Sequence, residues 1–165
     1  MPNIYFVLVT LALVYTPSVP ALQDKDSGSV IDFFIARQAR RERGEEYRDA
    51  RKVMVGELTR DSVPETVVLY TIESQGGTNN YVHYMAVFAR GNRGLIPVTH
   101  TEVGRKMRRS VELSSVDNNA IQLATLSYGP KDASCCPSVK GTTYYALVGR
   151  ALREQSRGNA RGRHN

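Results

Sequence analysis

Two periods of hydrophobic spacing divide the chain. Val30, Ile31, Phe34 and Ile35 recur at helical spacing among polar and arginine-rich positions, which predicts one amphipathic helix from Ser29 to about Arg43. Ser29 is its expected N-cap and Gly44 its stop. From Arg51 onward the period changes to two. Val53–Gly56 reads as a short strand, and Glu65–Glu73 as a longer one, apolar on both faces and therefore expected inside a sheet. Tyr81–Arg90 puts Val82, Tyr84, Ala86 and Phe88 on one face, and Gly91–Gly94 makes a turn. Leu95–Val103 follows, with Pro97 predicting an edge position or a bulge. Lys106–Asp117 alternates, with Met107, Val111 and Leu113 on one side. Asn118-Asn119 suits a two-residue hairpin turn that needs positive φ, Ala120–Ser127 returns, and Thr142–Gly149 is the last expected strand. The pattern predicts an α+β fold: an N-terminal helix followed by a mainly antiparallel β-sheet of about six or seven strands, in a single domain over residues 29–149.

The two ends read differently. In residues 1–21, the apolar run Ile4–Tyr15 is too short for a span of about 20 helical residues. Pro17 and Pro20 follow it, and Val19-Pro20-Ala21 offers small residues at −3 and −1. This predicts a signal peptide cleaved after Ala21, the alternative being an uncleaved anchor or a buried strand. The expected location is the bacterial periplasm or the exterior, with no transmembrane segment in the mature chain. Residues 22–28 read as a flexible leader. Residues 150–165 read as a short helical extension fraying into a disordered basic tail, with Arg150, Arg153, Arg157, Arg161 and Arg163 against one acid, Glu154.

With 165 residues, 41% hydrophobic and 23% charged, the chain is long enough to bury roughly 70% of its unfolded surface. That composition excludes wholesale disorder and a multi-span membrane protein. The net charge of +6 suits an anionic envelope surface or an unidentified protein as partner. Nucleic acid is not an expected partner, because no recognition motif or stacking pattern accompanies the arginines.

Chemistry is sparse. Cys135 and Cys136 are the only cysteines, and they are adjacent. In an oxidising compartment they predict a vicinal disulfide whose ring is strained, because trans neighbours lie closer than most bonded cysteines. A rigid loop fastener, a redox-sensitive or ligand-facing ring, free thiols and intermolecular pairing all stay open. Gly76, Gly77, Asn79, Asn80 and Tyr81, with Asp132, form a candidate ligand loop, to be weighed against a plain hairpin connection. Glu57, Thr59, Asp61 and Glu65 fall at the spacing of a calcium loop. Ser62 stands where that loop needs glycine, and Arg60 adds a positive charge, so calcium is not expected and no cofactor is assigned. His83, His100 and His164 are scattered, and no spacing suggests a catalytic triad or nucleophile elbow.

Gly56–Glu65, Val67–Glu73, Gly76–Tyr81, Ala86–Phe88 and Gly129–Ser138 together resemble a loosely defined group of bacterial secreted proteins of unknown function. The Cys-Cys-Pro-Ser piece is also similar to LppP/LprE-type mycobacterial lipoproteins. Arg60 and Ser62 replace both turn glycines of the pattern, and no lipid-attachment cysteine is present. The resemblance implies a fold and a compartment rather than a reaction. The reading that follows is an exported envelope protein acting as a non-enzymatic binding or interaction domain. A redox-active or hydrolytic enzyme using the Cys135–Cys136 loop is the alternative, and a structural or inhibitor protein a third.

Overall fold

The computed structural model describes residues 25–117 and 119–155. The expected signal peptide, residues 22–24 of the expected leader, and Arg157, Arg161, Arg163 and His164 lie outside the described residues, while Lys25–Gly28 of that leader are helical rather than flexible chain. The helix α1 spans Lys25–Glu42, four residues longer at its start than the apolar stripe suggested. Ser29 is therefore inside it rather than at its cap. Once Ile31 and Ile35 anchor a packed turn, extending the helix backward costs little. At the other end Arg43 takes the left-handed conformation (φ 53°). Gly44 is needed for closeness instead: a β-carbon there would fall 2.8 Å from Ile72 Cγ2.

Nine strands follow: β1 (Glu45–Glu46), β2 (Lys52–Gly56), β3 (Glu65–Glu73), β4 (Tyr81–Gly91), β5 (Gly94–Arg105), β6 (Arg109–Asp117), β7 (Ala120–Ser127), β8 (Val139–Val148) and β9 (Ala151–Gln155). The fold is α+β and the pairing antiparallel throughout. β1 and β2 share one edge of β3, and from there the order runs β3-β4-β5-β6-β7-β8-β9. The count exceeds the six or seven expected because β1 and β9 carry almost no hydrophobic pattern. Pro97 sits beside a bulge, since Val87 pairs with Thr99 but Phe88 pairs with Pro97. Met107 does not share the face of Val111 and Leu113. It takes φ 65° in the β5–β6 turn and is exposed.

β5 and β6 are joined only through Arg105 and Arg109, so the sheet divides there. The two halves fold face to face, bringing β2 against β6 and β5 against β9. Val67, Leu69, Met85, Val87 and Val103 of the first half meet Val111, Leu113, Ile121, Leu123, Tyr145 and Leu152 of the second. On the outer face of the first half, Ile31, Ile35 and Ala39 of α1 cover Val68, Tyr70, Ile72, Tyr84, Ala86 and Phe88. The layers are thus helix, sheet, sheet, and β3 is buried on both faces because it lies in the middle one. No helix among the described residues is long and apolar enough to cross a membrane.

Two clamps lock this arrangement. Arg51 donates to Glu46 (2.6 and 2.7 Å) and to Asp32 (2.5 Å), tying α1 to the β1–β2 edge. Glu154 accepts from Arg109 (two bonds, 2.9 Å), Thr143 (2.7 Å) and Tyr145 (2.9 Å), tying β9 to β6 and β8. These four donors hold the Glu154 carboxyl well below its usual range, down to about 2. Residues 151–155 are therefore an ordered strand with Leu152 buried, not a fraying helix. Gly149 opens the tight β8–β9 turn at φ 60°, and the hairpin brings Leu152 opposite Leu147.

Candidate functional site

A cleft of about 550 Å³ opens between the two halves of the sheet. Leu69 and His83 line it from the first half, and Val111, Thr125 and Gly141 from the second. The exposed charges Lys52, Glu112 and Lys140 border it. Most of these positions are near the ends of β4, β6, β7 and β8 that carry the β3–β4, β5–β6 and β7–β8 connections. The cleft therefore lies toward that end of the molecule.

His83 is the buried polar group of the cleft. Its strand neighbours pack as core, yet Thr71 Oγ1 lies 2.8 Å from its Nδ1 and Ser110 Oγ 3.5 Å from its Nε2. Burial pushes the imidazole down to about 4, so it is neutral near pH 7. Antiparallel pairing places Thr71 directly opposite His83, and the β5–β6 turn delivers Ser110. No carboxylate faces the ring in these contacts. An imidazolium formed by taking the Ser110 proton would lack the partner that stabilises it in a hydrolytic triad.

The Cys135–Cys136 loop leaves β7 and enters β8 beside the cleft. Leu126 and Lys140, which pair across its base, both line the cavity. The two Sγ atoms lie at disulfide distance, the Cα atoms are 3.8 Å apart, and both residues are exposed rather than lining the cleft. Asp132 organises the loop. It accepts from Gly129 N (2.7 Å), Ser138 N (2.8 Å) and Ser138 Oγ (2.8 Å), and these donors hold its carboxyl below the usual range. Cys136 N donates to Ala133 O and Tyr128 Oη to Ser134 O.

The other candidate residues fall in three places. Gly76 (φ 62°) and Gly77 (φ 78°) make an exposed turn at the same end as the cysteine loop. Lys106 Nζ donates to Asn79 O (2.5 Å), and Asn80 O accepts from Ser74 N, so this connection is fastened largely through its backbone. The Tyr81 phenol, raised by partial burial and by its neighbour Tyr128, links the two loops. None of Gly76, Gly77, Asn79, Asn80, Tyr81 or Asp132 lines the cleft. At the opposite end, Glu57 accepts from the Thr59 and Arg60 amides and Asp61 from the Val63 amide. Buried Glu65 accepts from Leu58 N (2.8 Å) and Thr59 Oγ1 (2.9 Å). The oxygens at calcium-like spacing thus stitch their own loop, and Arg60 and Ser62 both adopt φ 65° where the resembled pattern has glycine. Arg150 and Arg153 are exposed, on the β8–β9 turn and on β9.

Sequence reasoning missed Lys52, Thr71, Ser110, Glu112 and Lys140, and treated His83 as a scattered histidine. A polar residue inside the apolar run Val82–Phe88 was the one available signal. Comparison with protein-family models, with characterised proteins and with solved structures gave no match, so the functional reading rests on this geometry.

Proposed function

We propose that this is an exported bacterial envelope domain that binds a small ligand in the cleft between its sheet halves and performs no chemistry on it. The observation that carries the reading is the cleft itself. It is a concave site of ordinary ligand size, with apolar walls and a few polar groups. Hydrolysis is disfavoured because Thr71 rather than a carboxylate orients His83, and because burial leaves the ring a weak base. Export is supported by the apolar run, the small-residue motif ending at Ala21 and the adjacent cysteines. The chain has no tryptophan, so Leu126→Trp puts a single indole on the cleft wall. Submicellar dodecyl amphiphiles should shift its emission saturably, and calorimetry on the unaltered protein should give one site per chain. No saturable shift and no heat would overturn the reading.

Exposure of both cysteines favours a second reading, a thiol–disulfide exchange site on the same loop. It requires reduction to permit two alkylations by intact mass where none occurred before.

A further inference from the structure

The cleft has a charge pattern that its apolar walls do not explain. Lys52 comes from β2 in the first half of the sheet and Lys140 from β8 in the second, so one lysine from each half borders the cavity. Neither forms an ion pair with a carboxylate among the described residues, although Asp32, Glu46, Glu102 and Glu154 are all taken by arginines. One acid, Glu112, borders the same cavity, leaving an excess of one positive charge. Leu69, Val111 and Leu126 also line the cavity, together with the buried, neutral His83. A lysine from each half of the sheet at the border of an apolar cavity complements a molecule that is apolar along its length and anionic at one end.

We infer that the cleft's ligand is an amphiphile with one anionic head group, a carboxylate or a phosphate, held by Lys52 and Lys140 with its apolar body on Leu69, Val111 and Leu126. Lysine ammoniums are point charges without a fork geometry, so they accept either head. Glu112 is the opposing element: its negative charge weakens anion binding. The inference rests on the cleft being the binding site.

The test uses calorimetry with three submicellar probes of one chain length: dodecanoate, dodecyl phosphate and a neutral dodecyl glycoside. The two anions should bind the unaltered protein at least tenfold more tightly than the glycoside, with the advantage shrinking in high salt. Their relative affinity distinguishes the two head groups. Lys52→Gln with Lys140→Gln should cost the anions tenfold or more and leave the glycoside unchanged. Lys52→Arg with Lys140→Arg should restore the anions, and Glu112→Gln should tighten them about threefold, a gain that a merely structural role would not give. All three positions are exposed, and circular dichroism of each variant checks that the fold is intact. Equal binding of anions and glycoside, or anion binding untouched by the double glutamine variant, would overturn this inference while leaving the cleft as a binding site. Failure of all three probes to bind would overturn both.

Discussion

At His83 one imidazole is buried, held by Thr71 and kept neutral, and this has a measurable consequence. Its pKa is about 4 in the folded protein, below the ordinary value of 6.5 that the unfolded chain regains. The unfolded state therefore binds more protons across that window, and stability is lost as pH falls from about 6.5 toward 4. Between pH 7.5 and 4.5 the expected loss from this residue is about 2–3 kcal/mol. His100, lowered by partial burial and by Arg41, adds in the same direction, so denaturant midpoints should be compared with those of His83→Gln. A variant with the same pH slope as the unaltered protein would refute the assignment. Glu154 acts lower: its contribution disappears only as pH falls from about 4.5 toward 2. In the cysteine loop, the Asp132 carboxylate rather than the cysteine ring closes the base. Cys135→Ser with Cys136→Ser should therefore leave the Gly129 and Ser138 amides protected from hydrogen exchange, while Asp132→Ala should expose both. The reverse pattern would make the disulfide the fastener.

Among elements, α1 and β9 are opposite cases. α1 was legible because its stripe repeats over three turns and buries Ile31, Ile35 and Ala39 against one face of the sheet. β9 was read as the start of a basic tail because it has one strong apolar residue in five positions. Its order comes from partners distant in sequence: Leu152 in the inter-sheet core, and Arg109 on Glu154. Gly149 before Arg150 was the only local cue, a glycine at the first position of a tight turn. Leu152→Ala should cost about 2–3 kcal/mol, read as a lower denaturant midpoint with unchanged slope. A change within about 0.5 kcal/mol would return residues 151–155 to the status of a tail. The β3 and β4 strands were read correctly in place, but β4 is buried on both faces, not only on that of Tyr84 and Phe88. Burial of His83, Met85 and Val87 needs the second half of the sheet, which local pattern cannot supply.

For the molecule as a whole, the decisive event is the folding of one half of the sheet onto the other. One close approach of the halves is at Gly56, where β2 crosses β6. A β-carbon there would meet the Val116 carbonyl oxygen and lie 2.7 Å from Val116 Cγ1. Backbone cannot move aside as a side-chain tip can, so Gly56→Ala should destabilise by about 3 kcal/mol, at the upper end for overpacking. Thermal melting checks this, and a Tm within a degree of the unaltered protein would mean that the halves are not held together at that crossing. The cleft is the counterpart of this contact. The halves meet closely at Gly56 and leave a cavity around Leu69 and His83.

The helix, most strands, the positive φ of Asn119 between β6 and β7 and the bulge near Pro97 were written in the sequence, because each depends on a local period or on the conformational limits of one or two residues. The adjacency of the only two cysteines likewise allowed a single intramolecular pairing. What only tertiary structure decided is which faces meet. Lys52 and Lys140 are 88 positions apart, and Thr71, His83 and Ser110 sit on three different strands. A strand's pattern says which of its faces is apolar but carries no record of the surface that will cover it. The sheet had to divide at Arg105 and Arg109 and fold over before those residues could share a cleft.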